Sequence, residues 1–238
     1  MAKKKKQKPD PFEVITRFLR EYGKQKIVVW SSCGKDSIAN LDLCVRHFGA
    51  ENVQPIFMYF VKGLSFQETY LQYIENKYNV EFARFPHWML AGMFRTASFR
   101  HGTEKSVNTP QINMKKMDDA ARKRFGVEWI ASGETECESI QRVAMIRECN
   151  AINDTRRRFW PIAKWGPTDV MSWLKAQGTL LAPDYKFLGR SFGSIRWKEV
   201  EPIREHYPDD YEKICDVFPM LRAQAVRHDQ RKSKDGST

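Results

Sequence analysis

The chain has no paired cysteines. Its five, Cys33, Cys44, Cys137, Cys149 and Cys215, are odd in number, widely spaced and without a Cys-x-x-Cys pair. That spacing argues against a disulfide framework and against zinc or an iron–sulfur cluster held by paired cysteines, so no iron–sulfur cluster is expected. Acidic residues are scarce beside basic ones, 29 against 40, and the formal net charge is +11. No apolar run approaches the roughly 18 residues that cross a bilayer, which predicts no membrane partner. The N-terminus is charged and lacks the apolar core of a secretory signal, from which a cytoplasmic location is expected. There is no Gly-x-x-x-x-Gly-Lys-Ser/Thr loop and no internal repeat.

The hydrophobic share of 42% and the aromatic share of 13% suit a packed core, and 238 residues suffice for one sizeable domain. Lys3, Lys4, Lys5, Lys6 and Lys8 carry five of the positive charges and leave +6 for the remainder. The expected division is a basic, solvated tail over 1–9, a nucleotide-binding domain over 10–200, a helical extension over 201–225 and a second polar tail over 226–238. The alternative for the first tail is attraction to nucleic acid or another acidic partner. Whether the chain forms a homo-oligomer stays open.

The chemistry centres on Lys26 to Ser37. Ile27-Val28-Val29-Trp30 reads as a buried parallel strand. Ser32 to Ser37 packs small and polar residues into a turn. Beyond it Ile38, Leu41, Leu43, Cys44 and Phe48 recur at helical spacing. A strand running through such a turn into a helix gathers unpaired N–H groups at the positive end of a helix dipole, which suits phosphate. Lys35 adds a mobile charge, and Ser32 and Ser37 add hydroxyl donors.

Further along, a helix is expected over 10–23, with Asp10 as cap, a stripe of Phe12, Ile15, Phe18 and Leu19, and Gly23 as its end. Strands are expected over Val53–Phe60, Val80–Phe85 and Val127–Ser132, with a short extended piece over Phe159–Ile162. Helices are expected through Leu71, Ile74 and Tyr78, over Met117–Phe125, and after Thr168, which is read as a cap. Residues 92–116 read as a loop-rich excursion. Alternating strands and helices predict an α/β fold, a doubly wound parallel sheet of about five strands with helices on both faces. Ligands of such sheets lie beyond the carboxyl ends of the strands. Those ends carry the turn after strand one, Tyr59–Thr69, His87 (favoured as a packed histidine) and Gly133–Arg142.

The order Ser32-Cys33-Gly34-Lys35-Asp36-Ser37 resembles the Ser-Gly-Gly-Lys-Asp-Ser loop of the PP-loop ATP pyrophosphatases, also called adenine nucleotide alpha hydrolases, with Cys33 in place of a glycine. Lys62-Gly63-Leu64-Ser65-Phe66-Gln67-Glu68-Thr69 is similar to the Thr-Gly-x-x-Phe-x-Glu-Thr of phosphoadenosine phosphosulfate (PAPS) reductases. Gly133, Glu138, Ser139 and Arg142 match a second motif of theirs, and Pro161-Ile162, Trp165, Asp169-Val170 and Trp173 a third. The chain is therefore identified as resembling that family over about residues 24–195.

The resemblance implies binding of ATP or a related adenine nucleotide by Ser32, Cys33, Gly34, Lys35, Asp36, Ser37, Tyr59, Gly63, Gly133, Glu138, Ser139, Arg142 and Arg190. Lys35, Asp36 and Arg142 are the expected catalytic groups. Asp36 and Glu138 are candidates for Mg²⁺, though Asp36 could equally cap the helix. Arg142 and Arg190 suit forked contacts to phosphate or sulfate. The family's sulfite-carrying cysteine has Ser194 in its place, and a hydroxyl cannot do the thiol exchange that reduction requires. Adenylyl transfer with pyrophosphate release to an unknown acceptor is the expected reaction. The alternatives are thiol-dependent reduction of a sulfonucleotide and a non-catalytic nucleotide-sensing or nucleic-acid-associated role.

Overall fold

The computed structural model describes residues 10–137 and 140–235. The chain opens with α1 (Glu13–Tyr22), β1 (Ile27–Ser31), α2 (Lys35–Phe48), β2 (Val53–Tyr59), α3 (Ser65–Tyr78) and β3 (Ala83–Pro86). It continues through α4 (Met89–Arg95), α5 (Glu104–Val107), α6 (Met114–Phe125), β4 (Trp129–Ala131), α7 (Ile140–Glu148), β5 (Ile152–Asn153) and β6 (Arg158–Phe159). Five more helices follow: α8 (Pro167–Ala176), α9 (Tyr185–Leu188), α10 (Trp197–His206), α11 (Pro208–Val217) and α12 (Met220–Asp235).

The sheet order is β3-β2-β1-β4-β6-β5. Five strands run parallel, and β5 adds an antiparallel pair with β6 at the edge. The expected doubly wound sheet is thus present, with one two-residue strand more than the sequence reading contained. Strand periodicity divides β1 between two cores. Ile27 and Val29 pack with α1, α2 and α8 on one face, while Val28 and Trp30 pack with Met117 and Ala121 of α6 on the other. Trp30 sends its indole N–H to Asp118 Oδ1 at 2.9 Å, so the polar end of this large side chain is satisfied inside the second core.

A third cluster joins the exit of β2 to the last helices. Phe60, Leu64 and Phe66 pack there with Phe192, Ile203, Ile214, Cys215, Phe218 and Leu221. Gly63 sits at φ 76°, a backbone region open to glycine, and its carbonyl accepts the Lys213 ammonium at 2.8 Å.

Several local expectations are corrected. α2 begins at Lys35 rather than after Ser37. The third strand starts at Ala83, and the excursion over 92–116 holds the end of α4, all of α5 and the start of α6. Thr168 does not cap α8. Gly166 holds that place, with Pro167 as first helical residue and the Asp169 carboxylate accepting the Gly166 N–H at 2.9 Å. The expected C-terminal tail from residue 226 is helical to Asp235, because α12 docks on α10. Arg204 forks onto Asp229 at 2.9 and 3.0 Å, Lys232 reaches Glu201 at 2.9 Å, and Leu221 and Ala225 are buried. The tail expected over 1–9 lies outside the described residues.

Candidate functional site

β1 ends at Ser31 and α2 starts at Lys35, so three residues turn the chain at the carboxyl edge of the central strand. In a sheet of this order the neighbouring connections of β1 and β4 leave in opposite directions, which opens a crevice between them. Cys33 takes φ 60°, a conformation that costs an L-residue about 1–2 kcal/mol. Its side chain is 4% exposed and packs into the main core. Burial pushes its thiol well above the ordinary range, and the nearby charges of Asp184 and Glu68 push the same way. Cys33 is a neutral packing group.

The turn is braced from within. Ser37 Oγ accepts the Ser32 N–H at 3.2 Å and donates to the Gly34 carbonyl at 2.9 Å. The sequence predicts a Ser37 hydroxyl that donates to phosphate. Instead its hydroxyl is buried and closes the turn on itself, as Ser hydroxyls near helix starts do. Lys35 Nζ lies 2.7 and 2.8 Å from the two carboxylate oxygens of Asp36, and both side chains are partly exposed.

Two distant segments press on this turn. After β4, Gly133 lies so close that a Cβ built on it would stand 3.0 Å from Ser37 Cα and 3.1 Å from the Asp36 carbonyl oxygen. Both are backbone atoms. From the other side, the Tyr185 hydroxyl accepts the Lys35 N–H at 2.8 Å, and a Cβ on Gly34 would meet Ser191 Oγ at 3.0 Å. The Tyr185 ring also walls a cavity of about 640 Å³ with Thr69, Tyr70, Tyr73 and Pro183. The segment carrying Tyr185 and Ser191 is held by two buried carboxylates. Asp184 Oδ2 accepts the Phe192 N–H at 2.7 Å, and desolvation raises the pKa of this acid. Glu199 accepts the Gly193 N–H at 3.1 Å, the Ser194 N–H at 2.9 Å and the Ser194 hydroxyl at 2.8 Å, and pairs with Arg190.

Of the residues read from the sequence, Ser32 to Ser37 and Gly133 come together at one point. Tyr59 ends β2, and its carbonyl accepts the His87 N–H at 2.8 Å. Gly63 lies in the turn beyond, tied to Lys213. Arg190 is engaged by Glu199. Arg142 is exposed in the first turn of α7. Glu138 and Ser139 lie outside the described residues. His87 is packed as expected. Its ring stacks on Phe60 at 4.3 Å, Nδ1 accepts the Met89 N–H at 3.2 Å, and desolvation lowers its pKa to about 4.

Tyr185, Ser191, Asp184 and Glu199 were missed. Only the Pro183-Asp184-Tyr185 helix start hinted at them, and nothing local links Tyr185 to Lys35. Among the described residues no group of three or more His, Cys, Asp and Glu side chains is placed to hold a metal ion. Both Asp36 carboxylate oxygens lie on Lys35, and Glu138, its expected companion towards Mg²⁺, lies outside the described residues. Cys215 is buried in the third cluster, and burial raises its thiol pKa, whereas Cys137, in the loop after β4, is exposed.

Similar architectures occur in solved structures. A U34-tRNA thiolase NcsA from Methanococcus maripaludis with its [4Fe-4S] cluster is 12% identical, TM-score 0.46, over 83% of this chain and 72% of its own. A PAPS reductase from Candida auris in a phosphate complex is 12% identical, TM-score 0.49, over 79% and 87%. An NH3-dependent NAD synthetase from Campylobacter jejuni in complex with nitrate is 17% identical, TM-score 0.44, over 93% and 91%. No curated protein sequence matches the chain. Residues 26–195 match the family model of the phosphoadenosine phosphosulfate reductase domain, a span that starts one residue before β1 and ends just after Ser194. The chain therefore belongs to the PAPS reductase domain family.

Proposed function

We propose that this protein binds ATP or a related adenine nucleotide at the β1–α2 turn and transfers its adenylyl group to an acceptor oxygen. The observation that carries the reading is the convergence of three chain segments on the first turn of α2: the exit of β1, the exit of β4 at Gly133, and the Tyr185–Ser191 segment. An N-terminal helical turn offers amides and a positive dipole end to phosphate. The acceptor oxygen bonds to the α-phosphorus, the bond to the bridging oxygen breaks, and pyrophosphate leaves with the negative charge. Lys35 is assigned to that developing charge. Its present partner does not hold it strongly, because a partly exposed ion pair is worth about 1 kcal/mol or less and a polyphosphate offers more charge. Arg142 is assigned to a further phosphate contact.

Ser194 supports nucleotidyl transfer over reduction. It stands where the family resemblance puts a cysteine, and its hydroxyl is held by Glu199. A second reading, thiol-dependent reduction of a sulfonucleotide, rests on the exposure of Cys137 after β4. The deciding experiment measures pyrophosphate release from ATP with candidate acceptors, and sulfite release from PAPS and its 3′-dephosphorylated form, for wild type, Lys35→Ala and Cys137→Ser. Pyrophosphate release that Lys35→Ala abolishes, with no sulfite, is expected. Sulfite from wild type that Cys137→Ser abolishes would replace this reading with the second. A mass spectrum of the nucleotide that co-purifies would identify the ligand.

A further inference from the structure

The excursion between β3 and α6 is a charged surface that the proposed chemistry does not use. β3 ends at the carboxyl edge of the sheet, and α6 begins the return to the amino end of β4. Residues 87–116 therefore stay along the edge where the β1–α2 turn lies. Over that stretch Glu104 is the one acidic residue, against Arg95, Arg100, His101, Lys105, Lys115 and Lys116. Arginines elsewhere are widely paired, among them Arg46 with Asp42, Arg84 with Glu68 and Glu75, Arg158 with Asp118, Arg204 with Asp229 and Arg222 with Glu212. Among the described residues, no ion pair involves residues 87–117.

Two other features of this segment run against fold stability. Lys115 and Lys116 sit in the first turn of α6, which holds no acid, so their charges oppose the helix dipole. Ala97 at φ 51° and Phe99 at φ 60° hold left-handed conformations that cost L-residues about 1–2 kcal/mol each, a strain typical of functional segments. The segment is nevertheless anchored. Phe99 accepts the Met220 N–H at 2.9 Å, and Phe94 packs on Phe218 with ring centres 6.2 Å apart.

We propose that this surface docks a single-stranded nucleic acid, its cations on the phosphodiester backbone and unpaired bases against its half-exposed aromatic rings. Trp88 and Phe94 are half-buried, and the Arg100 guanidinium lies 4.6 Å over the Phe94 ring, so partly exposed aromatic rings and a cation occur together on this excursion. That pairing recognises bases free of a duplex. A lipid surface would call for a long amphipathic helix. α4 and α5 have 7 and 4 residues, and Met89 and Val107 are the large apolar side chains they leave exposed. The proposal goes beyond nucleotidyl transfer and is tested without ATP, so the failure of one is seen apart from the other.

The test is fluorescence anisotropy of the full chain with a labelled single-stranded RNA, its DNA counterpart and the DNA duplex, across about 50 to 200 mM salt. The variant is Arg95→Gln/Lys105→Gln/Lys115→Gln, whose three side chains are exposed and make no described contact. Its control, Arg20→Gln/Lys24→Gln/Lys26→Gln, removes the same charge beside the amino end of β1. Wild type is expected to bind a single strand more tightly than the duplex, and the RNA and DNA arms tell which strand it prefers. The first variant should lower low-salt affinity about tenfold and flatten the dependence of log K on log salt by about 2–3 units, as three lost phosphate contacts require. The control should leave both near wild type. Equal loss in both variants, loss only on deleting residues 2–8, tighter duplex binding, or equal competition by an acidic polypeptide would each overturn the proposal. ATP affinity, measured separately by calorimetry, should be the same in wild type and both variants.

Discussion

A single methyl group at Gly133 tests whether the exit of β4 is pressed against the start of α2. The Cβ of Gly133→Ala would stand 3.0 Å from Ser37 Cα, 3.1 Å from the Asp36 carbonyl oxygen and 3.2 Å from the Ser37 nitrogen. All three are backbone atoms in the first turn of a helix packed into the core, so no side-chain rotation relieves the contact. Overpacking of this kind costs about 1–3 kcal/mol. For a chain of this size roughly 3 °C of melting temperature follows each kcal/mol, so a fall of about 3–9 °C is expected. The shift also moves the amides and Lys35 offered to phosphate, and a loss of about 1.4 kcal/mol there weakens ATP binding about tenfold. Gly92→Ala supplies the comparison. It makes the same chemical change inside α4, where nothing lies within 4 Å of the added carbon. There alanine should stabilise by about 0.5–1 kcal/mol and leave ATP binding alone. Differential scanning calorimetry and titration calorimetry read both. Wild-type melting and affinity in Gly133→Ala would refute the close approach and, with it, the site as assembled.

Lys35→Ala should weaken ATP binding at an unchanged melting temperature, since its ion pair with Asp36 is partly exposed. Ser37→Ala should do the reverse in emphasis, lowering the melting temperature by the worth of its buried hydrogen bonds, about 1 kcal/mol each, before any effect on ligand. Tyr185→Phe frees the Lys35 N–H from its acceptor and should tighten ATP binding by roughly 0.5–1.5 kcal/mol, and calorimetry giving an equal or weaker affinity would count against competition between the hydroxyl and phosphate. His87 has a folded pKa of about 4, below the 6.5 of an unfolded histidine, so its contribution is complete above pH 6.5 and is lost as pH falls towards 4. Thermal melts over that window should show a loss of about 1–2 kcal/mol, less than the full shift implies because the ring is partly exposed, and His87→Asn should flatten it.

The parts of this protein that could be read from the chain are those written in short-range patterns. Ile27–Trp30 is a strand because β-branched residues follow one another without polar interruption, and α2 follows because apolar residues recur every three to four positions. The turn between them is small and polar, and a strand, turn and helix in that order can only present the turn at the carboxyl edge of a parallel sheet. The central strands and the position of the candidate site follow from these local rules. β5 escaped because two residues carry no period, and α12 because its charged residues look solvated until Arg204 and Glu201 of α10 meet them. The acceptor role of Tyr185 across 150 residues and the close approach of Gly133 to the first turn of α2 were decided by tertiary structure alone. Each depends on which segments the closed chain brings within 3 Å, and sequence spacing does not encode that distance. The same holds for Cys33: its left-handed backbone and buried thiol are set by the packing of the turn against the core.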